Sequence, residues 1–435
     1  MAMKRARDDL SSDTPCTMHR APTSELTVKS LASQNGWSSD YALATITQGL
    51  PKGVHPAFDL RFADLLGVTM STPAGDAVVM KEEASLESTS CDGKTDSAFG
   101  LAGSKIMRLI GSTFGQSSDT TKREDIVQAI EPAFRLASAI LIHDEQLGFW
   151  HGVQRAGKRV LKARDGRYKI PAFLTKTQLT VHDRKITLDF LQGLGGGVFI
   201  VFCNLRAVGQ CFMPFARDGE DRRLWYALPR LPHDHRPKYA RIALNAAHLL
   251  EPCLNWRHLT VTALHRMWFR LAGVLLHELA HAAAGHAFMQ SQNRTARAGN
   301  IYFRRKLVAE PGWSYTNYAF GGYFEFGKPK DPCLGFSDWP CPALAQAYDS
   351  SNASMPRKGP MPPYKVTGNV PAEHLSRFFE ASFWAKSCKH RRGTSRTKLQ
   401  FERCCGIALY DSEGKLAATK DSDLPSRYAK RRRLA

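Results

Sequence analysis

The feature that most constrains this chain is the motif His277-Glu278-Leu279-Ala280-His281, of the form HExxH, inside a long apolar stretch. Histidines with this spacing lie on one face of an α-helix, so both imidazoles can reach one metal ion. Glu278, about 100° around the helix, can contact a metal-bound water as a general base. Burying these polar residues is costly without partners, so a catalytic zinc site is favoured over a helix whose neighbours merely satisfy them.

The apolar stretch predicts one helix from about Thr260 to Phe288. Small residues such as Gly273 and Ala284 share the face of the two histidines. The opposite face carries large apolar residues that we expect in the core, namely Trp268, Leu275 and Leu279.

A catalytic zinc takes three protein ligands and keeps one position for water. His286 is the candidate nearest to the motif, but on a continuous helix it points about 180° away from His277. We therefore expect His286 to be a core or surface residue. A glutamate from a separate downstream segment is the other solution.

The downstream segment Ala309-Glu310-Pro311-Gly312-Trp313 is followed by Asn317 and by Phe320-Gly321-Gly322. With the HELAH motif, it resembles a group of fungal proteins with a zincin-like core, over roughly residues 141–384. The resemblance implies an α+β fold of the glutamate-ligand (gluzincin) type, with a mixed or antiparallel sheet packed on the HExxH helix. It also implies that Glu310 completes the zinc shell of His277 and His281. Glu325 is the second choice for this ligand.

Glu310 precedes a proline, which biases its backbone away from α geometry, whereas a gluzincin ligand usually lies on a helix. A position at the start of a helix, with Pro311 in the first turn, satisfies both conditions. We expect that arrangement.

Two further features concern a peptide substrate. Residues 241–245 predict a short strand before the HExxH helix, and an edge strand there could hold an extended peptide by strand addition. Tyr302, Tyr315 and Tyr318 are candidates to donate a hydrogen bond to the oxyanion, with packing as the more common role of each tyrosine.

The other predicted elements are a helix over 126–141 with a kink or break at Pro132, an exposed basic hairpin over 155–169, strands over 185–191 and 198–204, and a helix over 371–384. Phe149 and Trp150 are predicted core residues. The glycine run 193–197 does not indicate a dinucleotide site, because a β-branched, strand-like segment follows it instead of a helix.

The 435 residues carry a net charge of +20. Basic clusters at 4–7 and 430–433 predict a nuclear protein, with the cytoplasm as the alternative. The charge also supports another interpretation, a DNA- or chromatin-binding protein whose zinc site is structural or vestigial. Scattered cysteines argue against a disulfide framework.

We expect three regions along the chain. Residues 1–120 are Ser/Thr-rich and expected to be largely disordered, with a short helix near 59–66. Residues 121–411 would form the metallopeptidase domain, and residues 412–435 a basic tail. We expect neither a secretory signal peptide nor a membrane span.

Overall fold

The computed structural model describes residues 26–36, 38–52, 54–58, 120–155, 159–162, 169–195, 197–203, 207–213, 240–290, 302–303, 310–325, 334–337, 365–370, 372–385, 405–410 and 416–419. Its helices are α1 (Val28–Asn35), α2 (Ser39–Ile46), α3 (Thr120–Leu141), α4 (Asp144–Gln154), α5 (Val181–Leu194), α6 (Glu251–Leu254), α7 (Val261–Gln290), α8 (Pro311–Phe320), α9 (Ala372–Ser376) and α10 (Ala381–Ala385). Single 3-10 turns lie at Pro56–Phe58, Trp256–His258 and Arg377–Phe379, and a π turn lies at Ala246–Leu250.

The strands are β1 (Arg159–Lys162), β2 (Lys169–Phe173), β3 (Val198–Cys203), β4 (Gly209–Phe212), β5 (Ala240–Asn245), β6 (Tyr302–Phe303), β7 (Tyr323–Glu325), β8 (Leu334–Ser337), β9 (Lys365–Val370), β10 (Cys405–Tyr410) and β11 (Leu416–Thr419). They form sheets in the orders β1-β2-β6, β11-β10-β9-β8-β7 and β3-β5-β4. The third sheet positions the site: β5 pairs in parallel with β3 and antiparallel with β4. The fold is α+β, as predicted.

Helix α7 is the centre of the core. It packs against α3, α8, α9, β4 and β5. Trp268, Leu275 and Leu279 are fully buried, as the helical spacing predicted. The indole N–H of Trp268 donates a hydrogen bond to the Ala129 carbonyl at 2.7 Å, so the polar group of this buried ring has a partner. The core face therefore fixes which side of α7 presents the two histidines.

An N-terminal segment, residues 26–58, packs on the first turns of α7. Thr27 forms a bridge with Thr260, and the Val28 N–H donates to the Leu259 carbonyl at 3.1 Å. Thr27 also caps α1 through the N–H of Ser30. The disorder expected for residues 1–120 is therefore wrong for α1 and α2, while the helix expected near 59–66 lies outside the described residues.

Several other expectations need correction. Residues 185–191 belong to α5 and not to a strand, because a capping box between Thr180 and Asp183 starts a helix there. Helix α3 continues through Pro132, so of the two alternatives expected there, a kink or a break, the break is wrong. The described part of the helix expected over 371–384, residues 372–384, is divided among α9, a 3-10 turn and α10. Strand β11 lies inside the segment expected to be a tail, and it pairs with β10.

Strand β1 lies in the basic segment 155–169 and pairs antiparallel with β2, which begins at Lys169 and continues to Phe173, beyond the expected hairpin. The residues between the two strands lie outside the described part of the chain. Phe149 and Trp150 are buried core residues, as predicted. Among the described residues no single helix is long and apolar enough to cross a membrane, and only α3 with α4, bent by 77°, passes that test as a pair.

Candidate metal centre

The two motif histidines project from the same side of α7. Their ring centroids lie 5.2 Å apart. The side chain of His277 is 15% exposed and that of His281 is 30% exposed, so the pair lies at the edge of the core and remains open to solvent. This is the placement that the four-residue spacing predicts.

Glu310 reaches the histidines from the N-cap of α8. Its backbone is extended (φ −139°, ψ 94°), as the following proline requires, and Pro311 begins the helix. The Oε2 atom of Glu310 accepts a hydrogen bond from the Trp313 N–H and so caps the helix. The other carboxylate oxygen, Oε1, is left to face α7.

The three side chains converge on one point. The Oε1 atom of Glu310 lies 2.5 Å from Nε2 of His281 and 3.3 Å from Nε2 of His277. One ligand atom from each residue lies within 4.8 Å of the other two, so the group could hold a metal ion. Zinc with ligands at 2.0–2.2 Å separates them by roughly 3.3 Å, and two imidazoles with a carboxylate are a common catalytic zinc set. The residues fit zinc.

The charges in this group are strongly coupled. Burial opposes protonation of His281, but the Glu310 carboxylate outweighs it and raises the pKa of His281 to about 9. Burial acts to raise the pKa of Glu310, yet the two histidines hold it well below its usual range. The Glu310 carboxylate is therefore ionised at neutral pH, which is the form that a metal binds.

Gly312 allows the first turn of α8 to lie against His277. A Cβ atom at this position would be 2.5 Å from Nε2 of His277, far inside normal van der Waals contact. The Trp313 ring meets the same imidazole edge-on, with centroids 6.0 Å apart. The close approach of α8 thus depends on a residue without a side chain.

Glu278 is buried between α7 and strand β4, and it is 5% exposed. The backbone N–H of Cys211 donates a hydrogen bond to its carboxylate. A Cβ atom on Gly209 would lie 2.9 Å from Oε1 of Glu278, so β4 approaches the carboxylate directly. Burial raises the pKa of Glu278 above its usual range, although the nearby histidines act against this shift.

Comparison with models of protein families, with curated proteins and with solved structures finds no match for this chain. What the site can do must therefore follow from its own residues. These are three converging ligand atoms with a buried carboxylate beside them on α7.

The other candidates do not join this group. His286 is buried and stacks on Phe190, with ring centroids 5.8 Å apart. The Tyr315 ring is buried against Trp150, and the Tyr318 hydroxyl donates to the Glu145 carbonyl at 2.9 Å. Both side chains therefore have packing or structural contacts, which is the more common role named for each tyrosine. The side chains of Tyr302 and Glu325 lie outside the described part of the chain.

Sequence reasoning missed three residues of the site. Gly312 was part of the quoted downstream segment, but its contact with His277 has no sequence signal of its own. Gly209 and Cys211 belong to a strand too short to be recognised. The strand at 241–245 was predicted, but β5 is the central strand of its sheet, and the edge strand beside α7 is β4.

Proposed function

We propose that this chain is a zinc-dependent metallopeptidase with a zincin-like fold, in which His277, His281 and Glu310 hold the metal. The observation that carries the proposal is the convergence of these three ligand atoms within 4.8 Å of one another. Support comes from Glu278, which lies on the same helix between the two histidines. Two imidazoles, a carboxylate and an adjacent buried glutamate suit hydrolysis of an amide bond by an activated water.

Zinc, when bound, supplies a Lewis acid for the scissile carbonyl and lowers the pKa of coordinated water. Glu278 accepts the proton of the attacking water and returns it to the leaving amine. Burial raises the pKa of Glu278 above its usual range, which makes its carboxylate a stronger proton acceptor. His277, His281 and Glu310 would hold the metal and transfer no proton in this scheme.

The test is metal analysis and peptidase assay of the full chain and of Glu278→Gln. We expect one zinc per chain in both proteins and a loss of peptidase activity of about 100- to 10,000-fold in the variant. Glu251→Gln, an exposed carboxylate on α6, is the control and should leave both measurements unchanged. Wild-type protein that takes up no zinc would contradict the proposal.

The net charge of +20 supports a second candidate, a nuclear protein that binds DNA or chromatin. The basic clusters at 4–7 and 430–433 separate two versions of it. Salt-dependent DNA binding that survives replacement of both clusters by serine would come from the folded domain. Binding that disappears with them would come from the termini alone.

A further inference from the structure

Strand β4 is the edge of its sheet nearest to the candidate metal centre, and no other described strand pairs with its outer side. The Asn245 N–H donates to the Val208 carbonyl at 2.9 Å. This bond shows which residues of β4 form hydrogen bonds with β5, because such residues alternate along an antiparallel strand with residues whose backbone groups point away. Gln210 and Phe212 therefore direct their N–H and C=O groups at β5. Gly209 and Cys211 direct theirs away from β5.

The outward N–H of Cys211 is the group that the Glu278 carboxylate accepts from. The absence of a side chain at Gly209 lets that carboxylate lie directly against the strand, 2.9 Å from where a Cβ atom would be. A strand added to β4 would form hydrogen bonds with the outward N–H and C=O groups of this edge. One of these groups, the Cys211 N–H, already donates to Glu278.

We propose that Glu278 and the backbone of an extended peptide substrate compete for the Cys211 N–H. In the resting site the edge strand holds the carboxylate. A substrate that pairs with β4 takes over this donor and displaces the Glu278 carboxylate from the strand. The proposal rests on the proposed function and deepens it: the edge where an extended chain pairs is the edge that holds Glu278 in the resting site.

Two consequences follow from this competition. A peptide too short to pair with β4 leaves Glu278 on Cys211, so its binding should not respond to removal of the carboxylate. Removal of the Glu278 carboxylate should also strengthen binding of an extended chain, because the donor is then available without displacement. A glutamate that served only as the base would leave this affinity unchanged.

The test measures binding of unfolded β-casein to the metal-free full chain, where no cleavage occurs. We expect Glu278→Ala to bind casein at least about tenfold more tightly than wild type, because the added strand no longer has to displace a charged acceptor from the Cys211 N–H. Asp189→Ala removes the same charge from an exposed position on α5 and is the matched control. If both variants bind casein equally, electrostatics alone explains the change and the proposal is overturned.

Cys211→Pro supplies a second measurement. It deletes the contested N–H, and because that group points away from β5 the sheet keeps its own hydrogen bonds. In a double-mutant cycle, Glu278→Ala should then no longer increase the affinity for casein when it is combined with Cys211→Pro. A gain that persists would overturn the competition.

These binding experiments need no zinc, so they can fail or succeed independently of the peptidase assay. If competition is observed while wild-type protein takes up no zinc, β4 is a peptide-binding edge and the proposed function is wrong. If zinc and activity are present without competition, only this inference fails.

Discussion

Glu310 binds its own helix with one carboxylate oxygen and approaches His281 with the other, at 2.5 Å from Nε2. The first contact is the hydrogen bond that caps α8 through the Trp313 N–H. The two roles explain how a residue that precedes a proline can face the candidate metal centre. The extended backbone that Pro311 imposes is also the backbone of an N-cap, and the cap orients the carboxylate.

This double role predicts that two substitutions of Glu310 will differ. Glu310→Ala should lose zinc binding by at least about 100-fold and also lose about 1 kcal/mol of stability with the cap. Glu310→Asp is too short to reach both histidines, so it should lose zinc binding as well. Both variants lose the ion pair with His281, but aspartate is a good N-cap, so Glu310→Asp should keep the stability of about 1 kcal/mol that the cap contributes. Chelator competition and urea unfolding of the metal-free proteins measure the two effects. Equal unfolding of both variants would show that the cap contributes nothing.

Gly312 is predicted to be required for metal binding although it has no ligand atom. In Gly312→Ala the new methyl group would overlap the His277 ring, so either α8 or the imidazole must move. We expect zinc affinity to fall about tenfold or more, in the range seen when groups that orient a ligand are changed. Gly193→Ala, whose Cβ would meet nothing within 4 Å, controls for glycine replacement in a helix. Equal zinc affinity in the two variants would contradict this account.

The helix that carries the histidines could be predicted because its residues repeat with a period of 3.6. This period assigns the histidines to one face and the large apolar residues to the opposite face. The position of Glu310 could be anticipated from the local rule for a residue before proline. The N-terminal helices could not, because Val28 meets its backbone partner Leu259 only in the folded chain. In the segment 185–191, Ile186 and Thr187 are residues typical of strands, but the capping box at Thr180 starts a helix that includes them.

The N-terminal segment is predicted to stabilise the fold through a close backbone contact at Gly49. Its N–H donates to the Phe379 carbonyl at 3.0 Å, and a Cβ atom there would lie 2.3 Å from the same carbonyl oxygen. Gly49→Ala should therefore cost about 1–3 kcal/mol, as overpacking does. Urea unfolding of the full chain measures this cost, with Gly193→Ala as the control. If Gly49→Ala lowers the free energy of unfolding no more than Gly193→Ala does, the N-terminal segment can shift away from Phe379 without cost.

His265 on α7 packs against the N-terminal segment and Phe379, and it should make the stability of the fold depend on pH. Its Nε2 atom donates to the Ile46 carbonyl at 3.1 Å, and its ring stacks on Phe379 with centroids 4.1 Å apart. Its Nδ1 atom is buried and has no hydrogen-bond partner among the described residues. A second proton would therefore be a buried charge without an acceptor, and burial lowers the pKa of His265 from 6.5 to about 4.

Between these two pKa values the unfolded chain binds more protons than the folded one, so stability must fall as the pH falls from 6.5 to 4. From pH 7.5 to pH 5 we expect His265 to account for a loss of about 2 kcal/mol, present in the wild type and absent in His265→Phe. At pH 7.5 the free energy of unfolding of His265→Phe should be about 1 kcal/mol below that of the wild type, because the variant lacks the hydrogen bond to the Ile46 carbonyl. His182→Gln, at an exposed position on α5, should follow the wild-type curve. If wild type and His265→Phe lose equal stability over this range, another group takes up the proton.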